Sequence, residues 1–225
     1  MIFSDYTETE LKNFDSILEN YGVKRAEGLV FEGDTQHYAM QMPYYIVPSV
    51  KSTEASSEAA SSDYLTLAPF AQGIQKLDDV RDTVKIESIL TTSDSAYSKI
   101  NMNSSQIEKE EGDIDGPFDV GVSITESLTD GKETQIVYYS TANIIDNQVD
   151  QMVSGGNQKL VTESLKWLAD TEESASVSIP SKSLQTASLT LTEYDASFWK
   201  IWVIGIIPGT FLVFGFAIWF KRRRA

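Results

Sequence analysis

Acyl-transfer chemistry needs a nucleophile, a base to activate it and a group to orient the base. The sequence has one histidine, His37, and no cysteine. His37 sits in the polar run GDTQHYAMQMP, and no G-x-S-x-G turn exists to raise a serine into an exposed, strained position. A cysteine–histidine pair and a thiolate zinc site are excluded. His37 is expected to be a surface-loop residue. Oxygen donors are plentiful: Asp113, Asp115 and Asp119 follow Glu110 and Glu111 in one stretch, and carboxylates of this kind can hold calcium. Their D-x-D-G-x-x-D spacing does not match the twelve-residue EF-hand loop, so a solvated acidic loop is expected. Gly155-Gly156-Asn157 opens a helical stretch whose backbone N–H groups can cradle an anion. No G-x-x-x-x-G-K-[ST] sequence accompanies it, and Asn157 is expected to cap the helix. No catalytic, cofactor-binding or metal-binding residue is therefore assigned.

The charge distribution is more telling. The 225 residues include 33 acidic and 18 basic side chains, a formal charge of −15. No acidic residue follows Asp195, while Lys200, Lys221, Arg222, Arg223 and Arg224 all lie near the C-terminus. Residues 1–198 thus carry a net charge of about −20, which makes a phosphate backbone an unfavourable partner. Nucleic acid is excluded as an expected partner.

Residues 201–220 read IWVIGIIPGTFLVFGFAIWF, twenty positions without a charge. A helix of that length rises about 30 Å, the thickness of a bilayer core. Trp199 and Trp202 at one end and Trp219 at the other suit the two interfaces of a membrane, and Lys221–Arg224 suit its cytoplasmic side. These residues predict a single-pass protein of the cell membrane with an extracytoplasmic N-terminal domain and a cytoplasmic C-terminus. Gly205 and Gly209 stand four apart, the G-x-x-x-G spacing that lets two membrane helices approach closely. The opening IFSDYTETE has neither a basic nor an apolar signal region, so an export signal is expected in a longer parent chain.

The body divides by periodicity. Thr7-Glu8-Thr9-Glu10 has capping-box form, Leu11, Phe14, Ile17, Leu18 and Tyr21 recur at helical spacing, and Gly22 is placed to stop the helix. Strands are expected at 29–31, 44–47, 64–70, 84–92, 119–124, 135–140 and 175–179. Residues 51–63 and 104–116 read as loops, and Asp130-Gly131 marks a hairpin turn. A second helix is expected over about 157–169. The predicted fold class is α/β with a layered, mostly parallel sheet. The predicted divisions are an extracytoplasmic domain over 1–180, a polar connection over 181–198, a transmembrane helix over 199–220 and a basic tail over 221–225.

The C-terminal third resembles the auxiliary component of ABC-2-type transporters, the gliding-motility-associated GldG family. The resemblance rests on GGNQKLVTESLKWLAD, with Gly156, Asn157, Leu160, Trp167 and Leu168 at the positions of that family's G-N-x-x-L…W-L helix. A K-x-L segment (Lys182, Leu184) and a proline-containing terminal helix ending in arginines follow. LKNFDSILENYGVKRAEGLVFEGD, LAPFAQGI and SILTTSDSAY are softer, collinear matches. The resemblance implies an extracytoplasmic domain of class I glutamine-amidotransferase-like fold, without catalysis or cofactors, working beside an ABC-2 permease and an ATPase. It covers the C-terminal half of a typical member. Two other readings stand beside it: a free-standing cell-surface hydrolase, and an envelope module that binds sugars or peptides.

Overall fold

The structure, a computed structural model, describes residues 1–102, 107–128, 131–169 and 193–224. In chain order the elements are β1 (Ile2–Phe3), α1 (Lys12–Asn20), β2 (Val23–Arg25), β3 (Leu29–Phe31), β4 (Tyr45–Ile46), β5 (Ser49–Val50), α2 (Ser57–Ala60) and β6 (Ala68–Pro69). There follow β7 (Ile74–Lys76), β8 (Val84–Thr91), β9 (Tyr97–Lys99), β10 (Ile114–Asp115), β11 (Asp119–Ser127), β12 (Glu133–Tyr139), a 3-10 turn at Ala142–Ile145, α3 (Asn147–Met152) and α4 (Gly156–Leu168). The chain ends in a continuous helical run: α5 (Glu193–Lys200), a π-helical stretch at Ile201–Ile206, and α6 (Ile207–Arg223). The strand expected at 175–179 and most of the 181–198 connection, including Lys182 and Leu184, lie outside the described residues.

The strands flanking the Asp130-Gly131 signal do form a hairpin, β11 pairing with β12 from Gly121↔Tyr139 to Ser127↔Glu133. Around it grows a curled, mixed, seven-stranded sheet. β1 joins the outer side of β12, while β8 and β7 share the other side of β11, continuing to β5 and β2 respectively. Smaller sheets, β10-β9-β3 and β4-β6, complete the domain. The expectation of a mostly parallel sheet is corrected here. Among the described residues only β1 runs parallel to its partner; β2 to β12 pair antiparallel with one another. Alternating helices and strands give parallel neighbours only when each helix is a crossover between adjacent strands. Here α1 links β1 to β2, which lie at opposite ends of the sheet path, and the strands from β2 to β5 follow one another without a helix.

Neighbouring side chains on a strand point to opposite faces, and Tyr138 and Tyr139 show that both faces of this sheet are covered. Both rings are fully buried. Tyr138 packs with Leu18 and Phe14 of α1, whereas Tyr139 packs with Leu160 of α4. β11 carries a further device. Its pairing with β8 shifts register around Gly121, and Val120 and Val122, two apart, fall into different clusters. The bulge re-aims Val120 to the α4 side. Gly121 is required there because a Cβ would come within 2.8 Å of the Tyr139 ring.

α1 forms where its apolar spacing predicts and ends at Gly22, whose φ of +80° suits the residue after the cap. Its start differs from expectation. Thr7 accepts from the N–H of Thr9 in a local turn, and the Leu11 N–H donates to Asp15 Oδ2 (2.8 Å). Residues 51–63, expected as a loop, contain α2, a single turn that rests on a distant carboxylate. Glu163 of α4 accepts from the N–H groups of Glu58 (2.7 Å) and Ala59 (2.8 Å) and from the Ser57 hydroxyl (3.3 Å). The helix-starting donors have no partners within the helix, and a carboxylate also complements the positive end of its dipole.

Candidate functional site

α4 is the expected second helix, but Asn157 is not its cap. Gly155, at φ +92°, occupies the cap position, and the Asn157 side chain turns into the domain, fully buried. Its Oδ1 accepts from the Leu67 N–H (2.9 Å), while its Nδ2 donates to the carbonyls of Leu67 (2.8 Å) and Ile144 (3.1 Å). An amide presents one acceptor and two donors, and all three are used. Gly156 is close-packed: a Cβ would lie 2.0 Å from the Leu65 carbonyl oxygen. Farther along, the Ser164 hydroxyl donates to the Ala55 carbonyl (3.0 Å) and is 2.8 Å from the Tyr139 hydroxyl. The Gly-Gly-Asn signal thus serves to join α4 to the 55–67 segment.

The acidic stretch at 110–119 does not converge. The Asp113 side chain is 3% exposed and accepts from the N–H groups of Ile100 (3.1 Å) and Glu110 (2.8 Å). It lies 3.8 Å from Lys99 Nζ, itself 2% exposed and 2.8 Å from Glu110. Asp115 is on the surface, paired with Lys109. Asp119 pairs with Lys76 (3.1 Å) and accepts from Ser88 and Thr91. The three aspartates serve three separate lysines, and among the described residues no group of side chains is arranged to hold a metal ion. Asp113, with Glu108, also adds to the effect of burial on the Tyr97 phenol, which is pushed up to about 12. His37 lies on the loop as expected, its Nδ1 3.3 Å from the Val47 carbonyl and its Nε2 4.0 Å from Asp34, contacts that include no nucleophile.

An open cleft of about 660 Å³ lies between α1, β2 and the 6–10 segment. At its wall Arg25 holds Asp15 through two hydrogen bonds (2.7 and 3.0 Å) and reaches Gln72 Oε1 (3.3 Å). Periodicity did not single out this pair, because ten residues and a helix–strand turn separate its members. The guanidinium holds the Asp15 carboxyl below the usual carboxylate range, helped by the Leu11 N–H. A carboxyl whose pKa is lowered by folding adds stability above its unfolded value, and that stability is lost as the pH falls through the folded value. Asp15→Asn is expected to cost about 1.5–2 kcal/mol at pH 7, the lower end of the range for hydrogen bonds to charged groups. In urea unfolding the gap from wild type should close below about pH 4. An equal gap at pH 7 and pH 3 contradicts it.

The feature that distinguishes the chain is its end. The helix Ala196–Arg223 is long and apolar enough to cross a membrane. Residues around its circumference are exposed, Phe211 by 73%. Gly205 and Gly209 have no neighbouring atom outside their own helix within 4 Å of an added Cβ. Pro208 stands in the first turn of α6, just after the π-helical stretch. Trp199 and Trp202 group with Phe198, while Arg223 lies over the Trp219 ring at 5.1 Å, beside Lys221, Arg222 and Arg224. At its origin the helix touches the domain: the Tyr194 N–H donates to the Thr35 carbonyl (3.4 Å).

No family model matches the chain, and no curated protein matches it in sequence. Among solved structures it is similar to one described as the mmIFT52 N-terminal domain, at 15% identity and a TM-score of 0.47. The likeness covers 72% of this chain and 59% of that one.

Proposed function

We propose that the chain is a membrane-anchored, non-catalytic auxiliary subunit of an ABC transporter, its acidic domain outside the membrane and its basic tail in the cytoplasm. The observation that carries this reading is the terminal helix, exposed around its circumference, with tryptophans at both ends and a basic cluster after one. In water such a surface has no counterpart to bury it; in a bilayer it needs none. The resemblance to the GldG family supplies the transporter. Its G-N-x-x-L pattern falls on Asn157 and Leu160, both fully buried. The reading does not depend on the amidotransferase-like layering that the resemblance also implies. In this arrangement the ATPase supplies the energy, the permease the path, and this chain an outer domain held against them.

The helix is proposed to dock on the permease through Gly205 and Gly209. In lipid, helices gain little from burying apolar surface and associate through close packing at small residues. Affinity purification of the tagged chain from its native membranes in mild detergent should recover a multi-spanning permease and an ATPase. Gly205→Leu with Gly209→Leu should insert normally but lose most of both. Recovery of the chain alone counts against the transporter reading. Wild-type recovery by the double variant removes the docking face.

A further inference from the structure

Two runs of this acidic sequence carry no Asp, Glu, Lys or Arg: Thr35–Val50, sixteen residues, and Tyr64–Gln75, twelve residues. At the chain's 23% charged content they would be expected to hold about six. Only residues 51–63 separate them in sequence, and the fold brings them side by side. β4 from the first run pairs with β6 from the second, and the Phe70 N–H donates to the Tyr44 carbonyl at 3.0 Å. Phe70 stacks on Tyr44 (5.0 Å) and meets Tyr45 edge-on (5.7 Å). Apolar side chains stand out from it: Met40 is 50% exposed, Met42 37% and Phe70 39%. Met40, Gln41 and Phe70 adopt left-handed backbone at φ of 59°, 59° and 54°, a conformation costly for residues with a Cβ.

The start of the terminal helix lies beside this surface. Thr35, whose carbonyl receives the Tyr194 N–H, is the first residue of the uncharged run. Five residues of chain place Met40 at most about 18 Å from Thr35. Five residues of helix carry the chain only about 7.5 Å from Tyr194 to the belt tryptophan Trp199. The face with exposed methionines and aromatics is therefore tethered where the bilayer begins. A domain of about −20 cannot approach an anionic lipid surface through its charged sides without repulsion. Its uncharged side can approach, and Tyr, Phe and Met side chains suit the headgroup layer.

We propose that the β4–β6 face, through Met40, Met42 and Phe70 above the Tyr44–Tyr45 pair, rests in the headgroup layer of the outer leaflet, so that the domain lies against the lipid rather than standing away from it. This rests on the terminal helix spanning the bilayer, but not on the transporter assignment. Because the chain has no cysteine, single cysteines report on single sites. The full chain is reconstituted alone in nanodiscs of phosphatidylcholine and phosphatidylglycerol, carrying a nitrobenzoxadiazole label at Met40→Cys, Met42→Cys, Lys85→Cys or Leu212→Cys. Lipid with a spin label high on the acyl chain should quench positions 40 and 42 at least about twofold more than position 85, as an insertion of 5–10 Å requires. Aqueous iodide should show the reverse order. Position 212 tests the span itself: if lipid fails to quench it, the membrane helix is refuted together with the face. If lipid quenches 212 but iodide quenches 40 and 42 as fully as 85, the face is refuted and the span stands. Shielding of 40 and 42 from both quenchers means that protein covers the face, and overturns the proposal equally.

Discussion

Asn157→Leu, close to isosteric, is expected to lower the unfolding midpoint of the domain by at least about 6 °C. The substitution keeps the volume and removes three hydrogen bonds at once. The Leu67 N–H, the Leu67 carbonyl and the Ile144 carbonyl all pair with this one fully buried side chain. An unsatisfied buried polar group costs about 1–3 kcal/mol, so three of them exceed about 3 kcal/mol. In a domain of this size each kcal/mol moves the midpoint by about 2–4 °C. Gln158→Leu, on the exposed side of the same turn, should stay within about 0.5 kcal/mol of wild type. Thermal melts in detergent, followed by tryptophan and tyrosine fluorescence, make the comparison. Equal melting of the two variants shows that Asn157 does not join α4 to the 65–67 segment.

Lys99→Met is expected to be nearly as damaging, for an electrostatic reason. The ammonium is buried between Asp113 and Glu110 and donates to the Glu108 carbonyl at 3.2 Å. Removing one member of a buried charge pair strands the other, at a cost of about 3–5 kcal/mol. Asp113 keeps its two backbone donors, which places the expected loss near the lower end. The second variant, Lys99→Met with Asp113→Asn, removes the stranded charge and should recover more than half of the loss. Urea unfolding at pH 7 measures both. If the double variant is no more stable than the single one, the loss comes from packing around the Lys99 chain and not from the charge.

The sequence was most legible where one element carries its own signal. Periodicity locates α1 and α4, Gly22 ends α1, and the Asp-Gly pair marks the β11–β12 hairpin. The uninterrupted apolar run locates the terminal helix, although the helix already begins at Glu193, ahead of the span expected from 199. What escaped the sequence depends on partners distant in the chain. α2 is one turn, too short to stand on its own propensity, and exists where Glu163 supplies the acceptor for its first donors. Asn157 has the residue type and position of a cap, and only the approach of the 65–67 segment shows that its amide is used elsewhere. The uncharged face was equally hidden. Each run looks like ordinary loop and strand, and their shared property appears only once β4 and β6 are side by side.

The fastenings between α4 and the 55–67 segment also set the order in which the molecule can be completed. Ser164 to Ala55, Glu163 to Ala59 and Asn157 to Leu67 join residues 109, 104 and 90 positions apart. Closing loops of that length carries an entropic cost before any contact repays it, which slows folding. A growing polypeptide that has not yet reached Asn157 has nothing to offer Leu67, and no carboxylate from Glu163 for α2. The part of the domain before α4 therefore waits, with β1 to β12 already synthesised but the face that α4 covers still open, for a helix translated shortly before the apolar terminal helix. Completion of the domain and synthesis of the terminal apolar helix become nearly simultaneous events. A ribosome stalled before α4 would leave a chain suited to chaperones or proteases rather than a stable, soluble fragment.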